Sequence, residues 1–155
     1  MFQAYLTCKN WSFPMNYLAN EIDAVLKEQE IAYEKLSSEN LTKLISDIKT
    51  TFFIQAKELD PANMINPQKE HDPDFWKKVD QLQYLESPVL IVRDNQIHAW
   101  ELKTSKDLKT LFSETTGFPF WITDATLNFL IYVDDHDCVH LSQSYKKSIN
   151  TVKNQ

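Results

Sequence analysis

Glycine is almost missing from this chain. Gly117 is the single one in 155 residues, and that scarcity closes several templates. A GxGxxG dinucleotide fingerprint, a phosphate-cradling P-loop and a GxSxG nucleophile elbow all need more. Arginine is as scarce, with Arg93 alone. Phosphate and base-edge recognition lean on bidentate guanidinium groups, and counterion release needs clustered cations, so no nucleic-acid partner is expected. Cysteine is limited to Cys8 and Cys138, far apart in sequence and outside any CxxC; they read as free thiols rather than a bridge. No apolar run approaches the roughly 18 residues of a membrane helix. The N-terminal MFQAYLTCKNW lacks the charged lead and apolar core of a signal peptide. The expectation is a soluble, cytoplasmic protein with no membrane contact.

What is present is acid and aromatic. The chain holds 22 acids against 16 bases, a net charge of −6. Of those bases, Lys146, Lys147 and Lys153 lie in a tail without acids, so the rest of the chain sets 13 bases (16 less 3) against 22 acids, a net of −9. An acidic body suits a basic protein partner, whose approach it steers. Hydrophobic residues make up 43% and aromatics 12%, which excludes disorder by composition. The length suits one domain spanning 1–155. Within it we expect a helical part over about 1–86, a sheet part over about 87–144 and a short basic tail over 145–155.

Periodicity supplies the elements. Alternation predicts a strand over Phe2–Thr7. Ser12 and Pro14 suit the first turn of a helix near 13–29, with Met15, Leu18, Ile22, Val25 and Leu26 on its stripe. An extended Ile31-Ala32-Tyr33 follows. Ser38 opens a second helix, with Leu41, Leu44, Ile45, Ile48 and Phe52 on one face, running to about residue 59 before Asp60-Pro61. Residues 60–72, polar with two prolines, read as a loop. Asp72-Pro73 then caps a third helix carrying Phe75, Trp76, Val79 and Leu82 inward. From Ser87 the period becomes two: 89–92 and 97–102 flank a hairpin turn, and a short helix bears Leu108, Leu111 and Phe112. Gly117 sits where a left-handed C-terminal cap is wanted. Strands over 118–123, 127–133 and 138–142 complete a ββαβββ order. The fold class is α+β, N-terminal helices on an antiparallel sheet.

The 127–133 run shows little alternation, as a strand covered on both faces does. It stops at Asp134-Asp135-His136-Asp137, turn-forming residues, and Cys138-Val139-His140-Leu141 returns. The acids and imidazoles here invite a metal. In a strand His136, Cys138 and His140 share a face, but each step of two covers about 6.7 Å, so the outer pair needs ligands from elsewhere, such as His98 or His71. The plainer reading is an acidic tip with a buried Cys138, and no metal or cofactor is expected. Acid–base work by Asp134 or Asp135 with His136 is chemically open, yet no second cluster suggests a pocket; the chain reads as a binding protein rather than an enzyme. Trp11, Trp76, Trp100 and Trp121 divide between core and interface. Trp76, on a helical stripe, reads as core, whereas Trp100 and Trp121, at strand positions, are candidate partner anchors. Glu70-His71-Asp72-Pro73-Asp74 reads as loop plus N-cap.

Two resemblances follow from element order. Cys8 after a strand, a helix opened by Pro14, an extended IAYEKL and Ser87-Pro88-Val89-Leu90 before a hairpin resemble a thioredoxin-like order. The strand–helix–strand start is similar to glutathione-transferase N-terminal domains. Against that, CxxC is missing, the segment before Ser87-Pro88 is too long, and the 118–141 strands have no place. Residues 88–141 resemble small acidic bacterial immunity proteins found beside polymorphic toxins and in contact-dependent inhibition systems. The shared features are a hairpin with an aromatic second strand (Ile97-His98-Ala99-Trp100-Glu101), a short helix, an aromatic strand (Phe118 to Asp124) and a strand ending in an acidic, histidine-bearing turn (Phe129 to Asp137). That resemblance implies inhibition of a basic toxin domain by contact, with no catalytic residue. The implied contacts are Asp134, Asp135, His136 and Asp137.

Overall fold

The computed structural model describes residues 16–144 except 56, 83 and 84. The predicted Phe2–Thr7 strand, the Ser12–Pro14 helix start, Cys8, Trp11 and the basic tail lie outside the described residues. In chain order the elements are α1 (Tyr17–Glu28), β1 (Tyr33–Lys35), α2 (Ser38–Phe52), a 3-10 turn (Pro61–Asn63), β2 (Gln68–His71), a 3-10 helix (Phe75–Gln81), β3 (Val89–Arg93), β4 (Ile97–Leu102), α3 (Ser105–Ser113), β5 (Phe120–Thr123), β6 (Phe129–Val133) and β7 (Cys138–Gln143). The strands form one seven-stranded sheet in the order β1-β4-β3-β5-β6-β7-β2, and every pairing is antiparallel. This is an α+β fold whose C-terminal half runs ββαβββ.

Alternation along the central strands sends side chains to two cores. Leu90, Val92, Trp100, Leu102, Phe120, Ile122, Phe129 and Ile131 face α1, α3 and the 3-10 helix. Val89, Ile91, Ala99, Trp121 and Leu130 face α2 with Phe53, Leu59 and Met64. Both faces are covered, which is why the 129–133 run carries so little polar alternation.

The expected boundaries need several corrections. The second helix stops at Phe52 rather than near residue 59. Phe52 and Phe53 are both buried, but neighbouring helical side chains point about 100° apart. Phe53 therefore turns extended (φ −122°, ψ 154°) and reaches Trp121, with ring centroids 5.8 Å apart. Residues 60–72 are not all loop. They hold a 3-10 turn that Asp60 caps at the Ala62 amide, and β2, which pairs with β7 from Gln68↔Leu141 to His71↔Cys138. The third helix is 3-10 rather than α. Gly117 is not the cap of α3. Glu114 holds that place at φ −107°, Gly117 has no positive φ, and nothing lies within 4 Å of where a Cβ would stand. The left-handed positions belong instead to Glu30, Gln55, Asn66, Leu127 and Asp137. Leu127, read as strand, is thus a turn residue, and β6 begins two positions later.

Candidate functional site

The β6–β7 turn is built around Asp134. Its carboxylate accepts the amides of His136 and Cys138, each at 2.9 Å, and the Nε2–H of His140 at 3.1 Å. The Asp137 amide donates back to the Asp134 carbonyl, and Asp137 takes the left-handed conformation (φ 65°) that closes such turns. Burial pushes the Asp134 carboxyl up, but the Cys138 amide, the His140 ring and the His136 amide outweigh it and hold the group below the usual carboxylate range.

The imidazole that meets Asp134 is therefore His140, not the His136 of the sequence reading. His140 is 8% exposed, whereas His136 stands out from the turn, 3.7 Å from Asp135. His136 also lies outside β7, so it does not share a strand face with Cys138 and His140. Cys138 is half-buried rather than buried. Among the described residues no three His, Cys, Asp or Glu side chains converge as metal ligands.

Trp100 and Trp121, offered as partner anchors, do not present a surface. Trp100 is 0% exposed and Trp121 5%. The Trp100 indole N–H donates to Asp23 at 2.8 Å, and Trp121 packs on Tyr132 at 4.2 Å. Both alternate into a covered face of the sheet; the two-sided cover read from the 127–133 run extends to the strands that carry them.

Beside the turn lies a feature that the sequence reading missed. A cleft of about 400 Å³ opens between the start of the 3-10 helix, the end of α3 with its following loop, and the β6–β7 turn. Its apolar wall is Phe75, Trp76, Phe112, Phe118 and Phe120. Phe112 and Phe120 pack at 4.4 Å with their rings tilted by 31°, and Phe118 makes edge-to-face pairs with both at 6.0 Å. Its rim carries Asp72, Asp134, Asp135 and Asp137. Trp76, read as core, is only half-buried and lines this wall. The adjacent pair Phe75-Trp76 was a partial signal, since neighbouring helical side chains point about 100° apart, but it does not reveal the cleft's other walls.

The rest of the fold pins the cleft open. Glu21 of α1 accepts the Thr116 amide at 3.1 Å, fixing the loop that carries Gly117 and Phe118. Lys109 of α3 meets Asp80 at 3.5 Å. The Asp72 amide donates to the Asp137 carbonyl at 2.9 Å, joining the end of β2 to the turn.

The rim carboxylates are not equivalent. Asp72 is matched by Lys78 at 2.7 Å, whose ammonium holds its carboxyl below the ordinary range. Asp134 is occupied as described. Asp135 meets the His136 ring at 3.7 Å, and the Asp137 side chain makes no ion pair among the described residues. Two carboxylates on the rim are therefore without a paired lysine or arginine among the described residues. A wider groove of about 690 Å³ between α2 and β4 has the opposite character, with Lys35 and Lys49 and no acid on its lining.

The fold and this site define an α+β protein with an acidic, aromatic-walled cleft at one end of its sheet. No protein family, no curated protein and no solved structure matches the chain. None of the described helices is long and apolar enough to cross a membrane.

Proposed function

We propose that this chain is an immunity-type binding protein that neutralises a basic bacterial toxin domain by direct contact. One observation carries the reading: the acidic turn stands on the rim of an aromatic cleft, and among the described residues no lysine or arginine pairs with Asp135 or Asp137 there. Exposed, uncompensated carboxylates cost little in the free protein and gain most when a cation arrives from outside. Aromatic side chains beside them supply the desolvated contact on which binding energy concentrates. The work is done by covering a surface, so no catalytic group and no cofactor enter it. The thioredoxin-like alternative rests on Cys8 and the Phe2–Thr7 strand, which lie outside the described residues, whereas the acidic, aromatic cleft supports the binding reading.

The test is co-purification with the product of an adjacent toxin-bearing reading frame. We expect a stoichiometric complex whose association slows and whose affinity falls as salt rises from about 50 to 200 mM, because exposed charge pairs are screened. A gene without such a neighbour, or a toxin domain that ignores the protein at 50 mM salt, would overturn the reading.

A further inference from the structure

We propose that the cleft is a receptor for a single arginine side chain of the basic partner, its guanidinium lying between the aromatic wall and the Asp135–Asp137 rim. This rests on the reading of the chain as a binding protein for a basic protein. It adds which part of the partner enters, and where.

Size comes first. About 400 Å³ lies at the low end of small-ligand pockets; it suits one long side chain better than a nucleotide-sized group. Shape and charge then agree. The wall is made of rings, which take a planar, weakly hydrated guanidinium by stacking on their faces. The rim is made of carboxylates, which take its fork of N–H donors. Trp76 already takes one cation against its ring, with Lys77 Nζ 5.6 Å from the centroid, although Lys77 itself does not line the cleft. Asp72 and Asp134 are not available to do the same work, being held by Lys78 and by the turn. Asp135 and Asp137 are thus the groups left to pair. The 690 Å³ groove, with lysines and no acid on its lining, lacks the charge to compete.

The experiment titrates the full-length protein with n-butylguanidinium chloride at constant ionic strength, read by amide NMR. n-Butylammonium, n-butanol and butanesulfonate serve as comparison probes. Gly117, the only glycine, lines the cleft, so its amide resonance reports on the site directly. We expect shifts at Gly117, Thr116 and the Trp76 indole saturating with a Kd on the order of 10 mM, the value expected of so small a ligand. Butylammonium should bind more weakly, and butanol and butanesulfonate should leave the cleft unchanged. Asp135→Asn with Asp137→Asn should weaken the guanidinium response about two- to thirty-fold, as loss of two exposed charge pairs does.

No shift at the cleft up to 100 mM, in this titration about ten times the expected Kd, would overturn the proposal. So would an equal response to butanol, a tighter response to butylammonium, or a double variant that binds as well as the parent. If Lys146→Gln, Lys147→Gln and Lys153→Gln together move the free protein's cleft resonances and tighten butylguanidinium, the occupant is the chain's own tail and the partner arginine is refuted. The titration needs no cognate toxin, so its failure is separable from failure of the co-purification.

Discussion

Asp134 asks three things of one carboxylate, and the hairpin depends on all of them. It satisfies two amides of its own turn and fixes the tautomer of His140: an ionised carboxylate only accepts, so Nε2 carries the proton. His140 Nδ1 then has no hydrogen-bond partner among the described residues, and Asp134 is its ring's one polar anchor there. Asp134→Ala leaves two turn amides and a buried imidazole unanswered, and the expected loss is about 1–3 kcal/mol in urea unfolding. Asp134→Asn keeps an acceptor for the amides and should lose less. The pH dependence has a definite sign. Because the folded carboxyl titrates below its ordinary value of 3.8, the unfolded chain binds more protons near that pH. The contribution is complete above about 3.8 and disappears as pH falls through the folded value. Parent and Asp134→Ala stabilities should therefore differ at neutral pH and converge in acid. Equal stability at pH 7 would contradict this account of the turn.

Among the elements, α1 shows how far a cap can come from the helix it serves. Its N-cap residue Asn16 makes no side-chain capping bond; the Asn16 side chain meets His98 Nε2 at 3.2 Å instead. The Ala19 amide is taken by Asp94 Oδ2 at 3.0 Å, from the β3–β4 turn, where a carboxylate also complements the helix dipole. Asp94→Ala should cost about 1 kcal/mol, the usual value of a lost cap, and speed hydrogen exchange at Ala19 selectively; an unchanged Ala19 exchange rate would refute the long-range cap. Such a bond is invisible in sequence, since it joins positions far apart with no local pattern. The β3–β4 hairpin, by contrast, was legible because period-two alternation is local, and α1 and α2 were legible from their apolar stripes. β2 was not. Its Gln68, Lys69, Glu70 and His71 are all exposed on the sheet edge, so the strand rests on backbone pairing to β7 and leaves no apolar period. The acidic turn could be read for the same reason as the hairpin. The cleft beside it could not, because its walls come from the 72–76, 112–120 and 133–137 segments, which only tertiary packing brings together. Trp100 and Trp121 were misjudged for a related reason: whether a strand residue meets solvent depends on what covers that face.

At the scale of the molecule, the division into a helical part to about residue 86 and a sheet part after it describes composition and not separable structure. The N-terminal part supplies both outer strands, β1 beside β4 and β2 beside β7. It also supplies α1 and α2, which cover opposite faces of the sheet through side chains such as Ile22 and Leu26 on one and Ile48 and Phe52 on the other. Those four are 0–1% exposed. At about 2 kcal/mol each they represent roughly 8 kcal/mol of burial as an upper estimate, comparable to the whole stability of a domain, about 5–15 kcal/mol. A fragment of residues 87–155 would also open both edges of its five strands, a state prone to pair with other chains. We therefore expect that fragment to lack a cooperative urea transition, to bind an apolar dye and to aggregate with concentration. The intact chain should unfold in one step by fluorescence and circular dichroism alike. A sharp transition in the fragment, with the near-ultraviolet signature of packed aromatic side chains, would show instead that the ββαβββ half holds its own core. In that case the cleft wall contributed by Phe112, Phe118 and Phe120 would stand without Glu21 to brace its loop.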